Sequence, residues 1–218
     1  MVDIYASDDE KAEQLKEWWR KNGLALILGL VIGLGAVFGW RAWNEHREQQ
    51  SEEASLLYSQ VLVALGRGDA EGLLENSKQL LNQHSGSAYA VLAAFAVANQ
   101  RLQGGEAQAA IDHLRWAMEH AKDPAMEQLA RLRLGRVLLA EGDADAALEL
   151  IPAERGPYEA GFAELQGDIH AARGDAGQAR TAYQRALALA DPASGKALTL
   201  RMKLDDVGGA EGGMGEAG

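Results

Sequence analysis

Hydrophobic residues are distributed very unevenly along this chain, with one unbroken apolar run near the N-terminus and amphipathic segments after it. Residues 24–40 read LALILGLVIGLGAVFGW and include no charged side chain. As a helix this run covers about 25 Å, which approaches the roughly 30 Å hydrocarbon core of a bilayer. Backbone groups in lipid must be hydrogen-bonded internally, so such a run favours a helix. We predict one transmembrane helix over residues 24–43.

The residues that flank the run support this prediction. Trp18 and Trp19 precede it, whereas Trp40 and Trp43 end it, and tryptophan is enriched at both membrane interfaces. A cleaved signal peptide is one alternative, but its apolar region is shorter and small residues follow it. Here GWRAWNEH stands in that place. A buried core helix is another alternative, but no other segment offers enough apolar surface to surround the run.

Basic residues predict the orientation of this helix. Four lysines and arginines lie in residues 1–23, whereas only Arg41 and Arg47 lie shortly after the run. Basic residues tend to stay on the cytoplasmic side of a membrane. We therefore expect residues 1–23 to form a cytoplasmic segment and everything after the helix to lie outside.

Small residues recur inside the run at intervals of four. They are Ala25, Gly29 and Gly33, with Gly35 and Gly39 as a second pair. Small residues at this spacing form a flat strip where another membrane helix can approach closely. We interpret them as a packing strip for a partner helix. The alternative is that glycine is simply frequent in transmembrane helices.

Beyond the run the pattern becomes helical, with regularly spaced turns. Residues 41–65 include neither Gly nor Pro, so we expect the membrane helix to continue into the soluble part. Turn signals follow at Gly68, Gly105, Gly142 and Gly174, spaced by 37, 37 and 32 residues. The aspartate in each Gly-Asp-Ala turn, at Asp69, Asp143 and Asp175, is expected to cap the next helix. Alternating strand patterns are missing from the sequence.

A period in the mid-thirties built from helix pairs is the signature of tetratricopeptide repeats. Pro152 and the segment ERGP are expected to shorten the second helix of the third pair. We predict an all-α fold, with the transmembrane helix followed by a tetratricopeptide-like α-solenoid of about four helix pairs plus a capping helix, over residues 44–207. Residues 208–218 include six glycines, and we expect this tail to be disordered. Small residues should let the paired helices pack closely: Ala110, Ala117, Ala147, Ala179 and Ala186.

The first helix of each pair lines the concave face of such a solenoid, and this face is the candidate binding site. An apolar trough there would suit a polypeptide segment. The alternative is that several of these residues fill the core between helices. In the last pair, Glu164 and Asp168 are expected to make this face acidic. Helical periodicity places eight apolar residues on it: Tyr58, Leu62, Leu92, Phe95, Leu102, Leu129, Leu132 and Leu139.

Composition and charge narrow the function. The 218 residues carry a net charge of −11, which disfavours nucleic acid as a partner. Without cysteine the chain can form no disulfide, thiolate metal site or cysteine nucleophile. His113 and His120 share a predicted helix but lack an acidic third ligand at metal spacing, so surface histidines are the alternative to a metal site. We expect no enzyme activity and no cofactor.

Several segments together resemble a known family, the YfgM-like ancillary subunits of the SecYEG translocon. The similarity covers nearly the whole chain up to about residue 207. The segments that carry it are Trp18-Trp19 before an expected Asn22-Gly23 turn, FGWRAWN over residues 38–44, the segment 54–58, LRLGRV over residues 132–137, and Met202-Lys203-Leu204.

The resemblance implies a single-pass type II protein of the bacterial inner membrane with a periplasmic repeat domain. Its implied partners are the SecYEG translocon, a PpiD-type periplasmic chaperone, nascent secretory proteins and membrane lipid. The implied function is a non-enzymatic accessory that links the channel to periplasmic chaperones and helps exported proteins pass from it. The alternative is a membrane-anchored scaffold for another cell-envelope complex, without client binding.

Overall fold

The computed structural model describes residues 8–212, and all regular structure in that range is helical. Four helix pairs follow one another, α1 with α2, α3 with α4, α5 with α6 and α7 with α8, and α9 comes last. This order confirms the predicted all-α solenoid with a capping helix. The helices are α1 Asp8–Arg67, α2 Ala70–Gln83, α3 Ala88–Gln103, α4 Ala107–His120, α5 Pro124–Ala140, α6 Ala144–Glu149, the 3₁₀ turn Gly156–Tyr158, α7 Glu159–Ala172, α8 Ala176–Leu189 and α9 Gly195–Gly212.

The chain divides into two units, the first ending at Glu52 and the second beginning at Glu53. In the first unit the apolar side chains of residues 24–43 are exposed. By length and composition, α1 is suited to cross a membrane. The rings of Trp40 and Trp43 lie 5.4 Å apart, and the Arg47 guanidinium lies 5.0 Å from the Trp43 ring centroid.

The helix α1 is continuous from Asp8 to Arg67, as the lack of Gly and Pro in residues 41–65 predicts. The expected turn at Asn22-Gly23 is wrong, because both residues lie inside α1. The Asn22 side-chain amide donates to the Trp18 carbonyl at 3.0 Å, which satisfies it within the helix. The Trp19 indole packs over Gly23, and the lack of a side chain at Gly23 leaves room for this ring.

Glycine makes each turn between paired helices. Gly68, Gly105, Gly142 and Gly174 have φ between +69° and +87°, in the left-handed region that glycine adopts without a steric penalty. The following acid caps the next helix in three of the four turns. For example, the Asp143 carboxylate accepts from the Ala146 backbone N–H at 3.0 Å.

The second turn differs from the other three. Glu106 makes no side-chain cap of α4. Its longer side chain instead accepts from the Arg101 guanidinium at 2.6 Å. The cap predicted for the three aspartates is therefore confirmed, and the turn at Gly105, which has no aspartate, has no side-chain cap.

Small residues lie at the helix contacts of the second unit. All five predicted alanines of this class are fully buried. At Gly167 of α7 an added Cβ would collide with the Tyr183 ring of α8, so glycine allows these two helices to approach. The short helix α6 has only six residues, as the proline after it predicts.

The last helix, α9, packs on α8 and buries Ala197 and Leu200. It continues to Gly212, beyond the expected boundary at Val207. The expected disordered tail thus begins with helical residues, and residues 213–218 lie outside the described part of the chain.

Candidate functional site

An open groove of about 590 Å³ lies among α3, α4, α5 and the C-terminal part of α1 in the second unit. Five of the eight predicted binding-face residues line it. Its floor is apolar and contains two aromatic rings. The five residues are Tyr58, Leu92, Phe95, Leu102 and Leu129.

The other three predicted residues lie elsewhere. Leu62 is exposed but does not line the groove. Leu132 is 3 % exposed and lies in the hydrophobic core, where its side chain packs against Gly161 of α7. Leu139 is partly buried against the same core. Because α5 contacts α4, α6 and α7, its leucines point to several neighbours and not to one face.

Two arginines and one asparagine also line the groove, and the apolar pattern of the sequence does not indicate them. The Arg133 guanidinium lies 4.5 Å from the centroid of the Phe95 ring, at cation–π distance. Arg136 donates to the Glu164 carboxylate at 3.2 Å. Asn99 adds an amide on α3. The spacing of the two arginines, three residues apart and one turn after Leu129, is the signal that could have revealed them.

At the α1 side the groove is uncharged. The Tyr58 ring lies 5.6 Å from the ring of Tyr89. Burial raises the pKa of the Tyr58 phenol above its usual value. The hydroxyl therefore stays protonated at neutral pH and offers a neutral polar tip beside apolar surface.

A polar cluster joins α7 to α9. The Lys203 ammonium donates to the Glu164 carboxylate at 3.0 Å and to both oxygens of Asp168 at 2.7 and 2.8 Å. The Tyr183 hydroxyl of α8 donates to Asp168 at 2.8 Å. Burial, and then the Asp168 hydrogen bond and charge, raise the pKa of Tyr183 well above its usual value.

The expectation that Glu164 and Asp168 make this end acidic is wrong. Glu164 is 8 % exposed and is also approached by Arg136 at 3.2 Å and Lys196 at 3.4 Å. Together with Lys203, three cations surround the two carboxylates, so the cluster carries no net negative charge. A carboxylate can be buried only when such partners offset its desolvation.

The two histidines that share a helix have separate surroundings. His113 lines a second pocket of about 470 Å³ formed by α2, α3 and α4. Burial, and then the nearby Arg101 charge, lower the pKa of His113 below its usual value. His120 stacks on the Trp116 ring, with centroids 4.1 Å apart. Within the described residues, no three His, Cys, Asp or Glu side chains are grouped so that they could hold a metal ion.

The fold and the groove define a class, helical-repeat proteins with an apolar N-terminal helix and an open apolar groove. The chain matches the tetratricopeptide repeat-like domain family over residues 16–209. It is 31% identical over 180 residues to the ancillary SecYEG translocon subunit of Haemophilus influenzae, covering 82% of this chain and 88% of that protein. It is 29% identical over 184 residues to the subunit of the same name from Escherichia coli K12, covering 84% and 88% of the two chains.

A third relative of that name, from Neisseria gonorrhoeae, is 26% identical over 208 residues and covers 93% of this chain and 98% of its own. The chain therefore belongs to the family of ancillary SecYEG translocon subunits, which confirms the resemblance seen in the sequence. Together with the apolar α1, this membership indicates a membrane anchor.

Proposed function

We propose that this protein is a non-enzymatic accessory subunit of the SecYEG translocon. It would link the channel to periplasmic chaperones of the PpiD type and help exported proteins pass from the channel. The names of its relatives support the association with the translocon. The groove of about 590 Å³ is the observation that carries the proposed contact with polypeptide, because its size and apolar floor suit a few side chains of a bound segment.

The proposed location is the bacterial inner membrane, with the N-terminus in the cytoplasm and the repeat domain in the periplasm. The absence of cysteine makes this testable with single introduced thiols. A membrane-impermeant maleimide should label Lys78→Cys in intact spheroplasts and should label Glu13→Cys only after permeabilisation. The reverse pattern would overturn the orientation.

The strip Ala25, Gly29, Gly33, Gly35 and Gly39 is proposed to pack against a membrane helix of a partner. Apart from its own helix backbone and adjacent residues, an added Cβ at each glycine of the strip would meet no atom of residues 8–212 within 4 Å, so the surface is open to a neighbour. The doubly substituted protein Gly29→Leu with Gly33→Leu should lose copurifying translocon subunits.

A matched control for the strip adds bulk on another side of the same helix. Leu34 lies about 100° or more around the helix from every residue of the strip, so Leu34→Phe should retain the partners. If the wild type, the double variant and the control variant recover translocon subunits equally, the proposed role of the strip is contradicted. The proposed role of the groove would not be affected.

Contact with polypeptide is tested by site-specific photocrosslinking in cells. Leu102 lines the groove and is 39 % exposed, whereas Leu198 on α9 is an exposed leucine outside it. A benzophenone side chain at residue 102 should capture the chaperone or secretory proteins, and the same group at residue 198 should not. If translocon subunits still copurify but residue 102 captures neither class, the groove has no role in client or chaperone contact.

A further inference from the structure

We propose that the groove selects acidic amphipathic polypeptide segments, with apolar side chains on its floor and carboxylates on Arg133 and Arg136. This inference rests on the proposed function, since both place polypeptide in the groove. It adds the chemistry of the segment, which the fold alone does not specify.

The groove is positively charged, whereas the chain as a whole is negatively charged. The charged side chains that line the groove are Arg133 and Arg136, although the protein as a whole has a net charge of −11. The rest of the lining is apolar apart from Asn99 and the Tyr58 hydroxyl. An acidic segment would therefore be attracted to this part of an otherwise acidic protein, and a basic one would meet two like charges.

Both guanidinium groups are held from one side and remain exposed on another. Arg133 lies over the Phe95 ring at 4.5 Å, a contact that fixes a planar guanidinium without using its hydrogen-bond donors. Arg136 donates to Glu164 at 3.2 Å, yet its side chain is 45 % exposed. A guanidinium has five N–H donors, so a single contact leaves several for a ligand.

The two arginines are also close enough to act on one segment. They are three residues apart on α5, and side chains at this spacing are neighbours on a helix surface. Because Glu164 is shared with Lys196 and Lys203, it does not cancel the positive charge of Arg136. One carboxylate placed between the two guanidinium groups would gain charge-assisted hydrogen bonds from both.

The test measures binding of two fluorescent peptides to the full-length protein in phosphatidylcholine nanodiscs. The peptides have identical leucine and phenylalanine positions and differ only in glutamates or lysines between them. Fluorescence anisotropy should show at least tenfold tighter binding of the acidic peptide at about 0.1 M salt. This advantage should narrow at about 1 M salt, because an open groove is screened by ions.

Substitutions of Arg133 test whether the preference for the acidic peptide arises in the groove. Arg133→Gln should weaken binding of the acidic peptide by about tenfold, which corresponds to the loss of one charge-assisted hydrogen bond. Arg133→Glu should remove or reverse the preference between the two peptides. Arg133 is substituted, and not Arg136, because Arg136 pairs with the buried Glu164 carboxylate. Loss of Arg136 would therefore disturb folding. Arg115→Glu on α4, an exposed position outside the groove lining, makes the same change in net charge and should leave the preference intact.

The outcomes separate this inference from the proposed function. Equal binding of both peptides, abolished by Leu102→Ser, would show a groove that binds polypeptide without selecting charge, and would overturn only the inference. An unchanged preference in Arg133→Glu would also overturn it. Binding of neither peptide would count against both. Circular dichroism melts of each variant exclude unfolding as the cause of a lost preference.

Discussion

Replacement of Lys203 by methionine should destabilise the repeat domain measurably. Lys203 on α9 lies between Glu164 and Asp168 of α7 and hydrogen-bonds to both. The side chains of Lys203, Glu164 and Asp168 are 28 %, 11 % and 25 % exposed. Methionine keeps most of the length and apolar contact of the lysine stem, so the variant removes the charge with little loss of packing.

The magnitude follows from how buried the cluster is. Removing one partner of a fully buried ion pair costs about 3–5 kcal/mol, because the other charge is left uncompensated. Here the cluster is only partly buried, and Glu164 keeps Arg136 and Lys196 within 4 Å. We therefore expect a loss of about 2 kcal/mol. For a domain of this size that lowers the Tm by about 4–8 °C.

Thermal melts followed by circular dichroism at pH 7, on the full-length protein in detergent, measure the effect. Lys78→Met is the matched control, because Lys78 is an exposed lysine on α2 and surface substitutions of this kind change stability by about 0.5 kcal/mol or less. If Lys203→Met melts at the same temperature as Lys78→Met, the cluster does not hold α9 to α7.

The pH dependence of the same difference checks its cause. Burial alone would raise the pKa of Glu164, but the Lys203 hydrogen bond and charge, with Lys196 and Arg136, outweigh it and leave this pKa below the usual value. The stability from Glu164 is therefore present above the unfolded pKa, about 4.3, and is lost as the pH falls through the lower folded pKa.

Lys203 titrates at alkaline pH. Burial opposes its charge, but the hydrogen bonds to Asp168 and Glu164 raise its pKa. Its contribution is full below the unfolded pKa, about 10.4, and is lost as the pH rises through the folded pKa. The Tm gap between wild type and Lys203→Met should thus be widest in the neutral range and narrow on both sides. A gap that stays constant in acid would contradict the electrostatic explanation.

Two further pairs of substitutions test helix contacts and caps by the same thermal melts. Gly167→Ala should cost about 1–3 kcal/mol, because the new Cβ overlaps the Tyr183 ring. Gly177→Ala on α8 should be neutral or stabilising by up to about 1 kcal/mol, because its Cβ would make only an ordinary contact with the Asp175 carboxylate at 3.9 Å. Equal losses would refute the close approach of α7 and α8. Asp143→Ala should cost about 1 kcal/mol through loss of its cap, and Glu106→Ala, which removes no cap, should cost less.

Local signals in the sequence are sufficient to predict the helices and the turns between them. A left-handed turn requires glycine, and an aspartate after it caps the next helix whatever lies further away. Both signals act over a few residues, so they can be recognised in a single sequence. At the second turn a glutamate replaces the aspartate: the longer Glu106 side chain reaches Arg101, and α4 has no side-chain cap.

The groove was predictable only in part, because helical periodicity shows which residues share a face but not which neighbour covers it. On α3 the periodicity identified Leu92, Phe95 and Leu102, and all three line the groove. On α5 it failed for Leu132, since α7 packs on that side and buries the residue against Gly161. A helix with neighbours on several sides has apolar residues on several faces.

Charge is where the assembled structure departs most from the sequence, because ion pairs join residues that are far apart along the chain. From the sequence alone, Glu164 and Asp168 are expected to form an acidic surface. In the fold, Lys203 and Lys196 of α9 and Arg136 of α5 converge on these carboxylates. Glu164 therefore serves to hold Arg136 at the groove wall, and the charge that a bound segment meets there is positive.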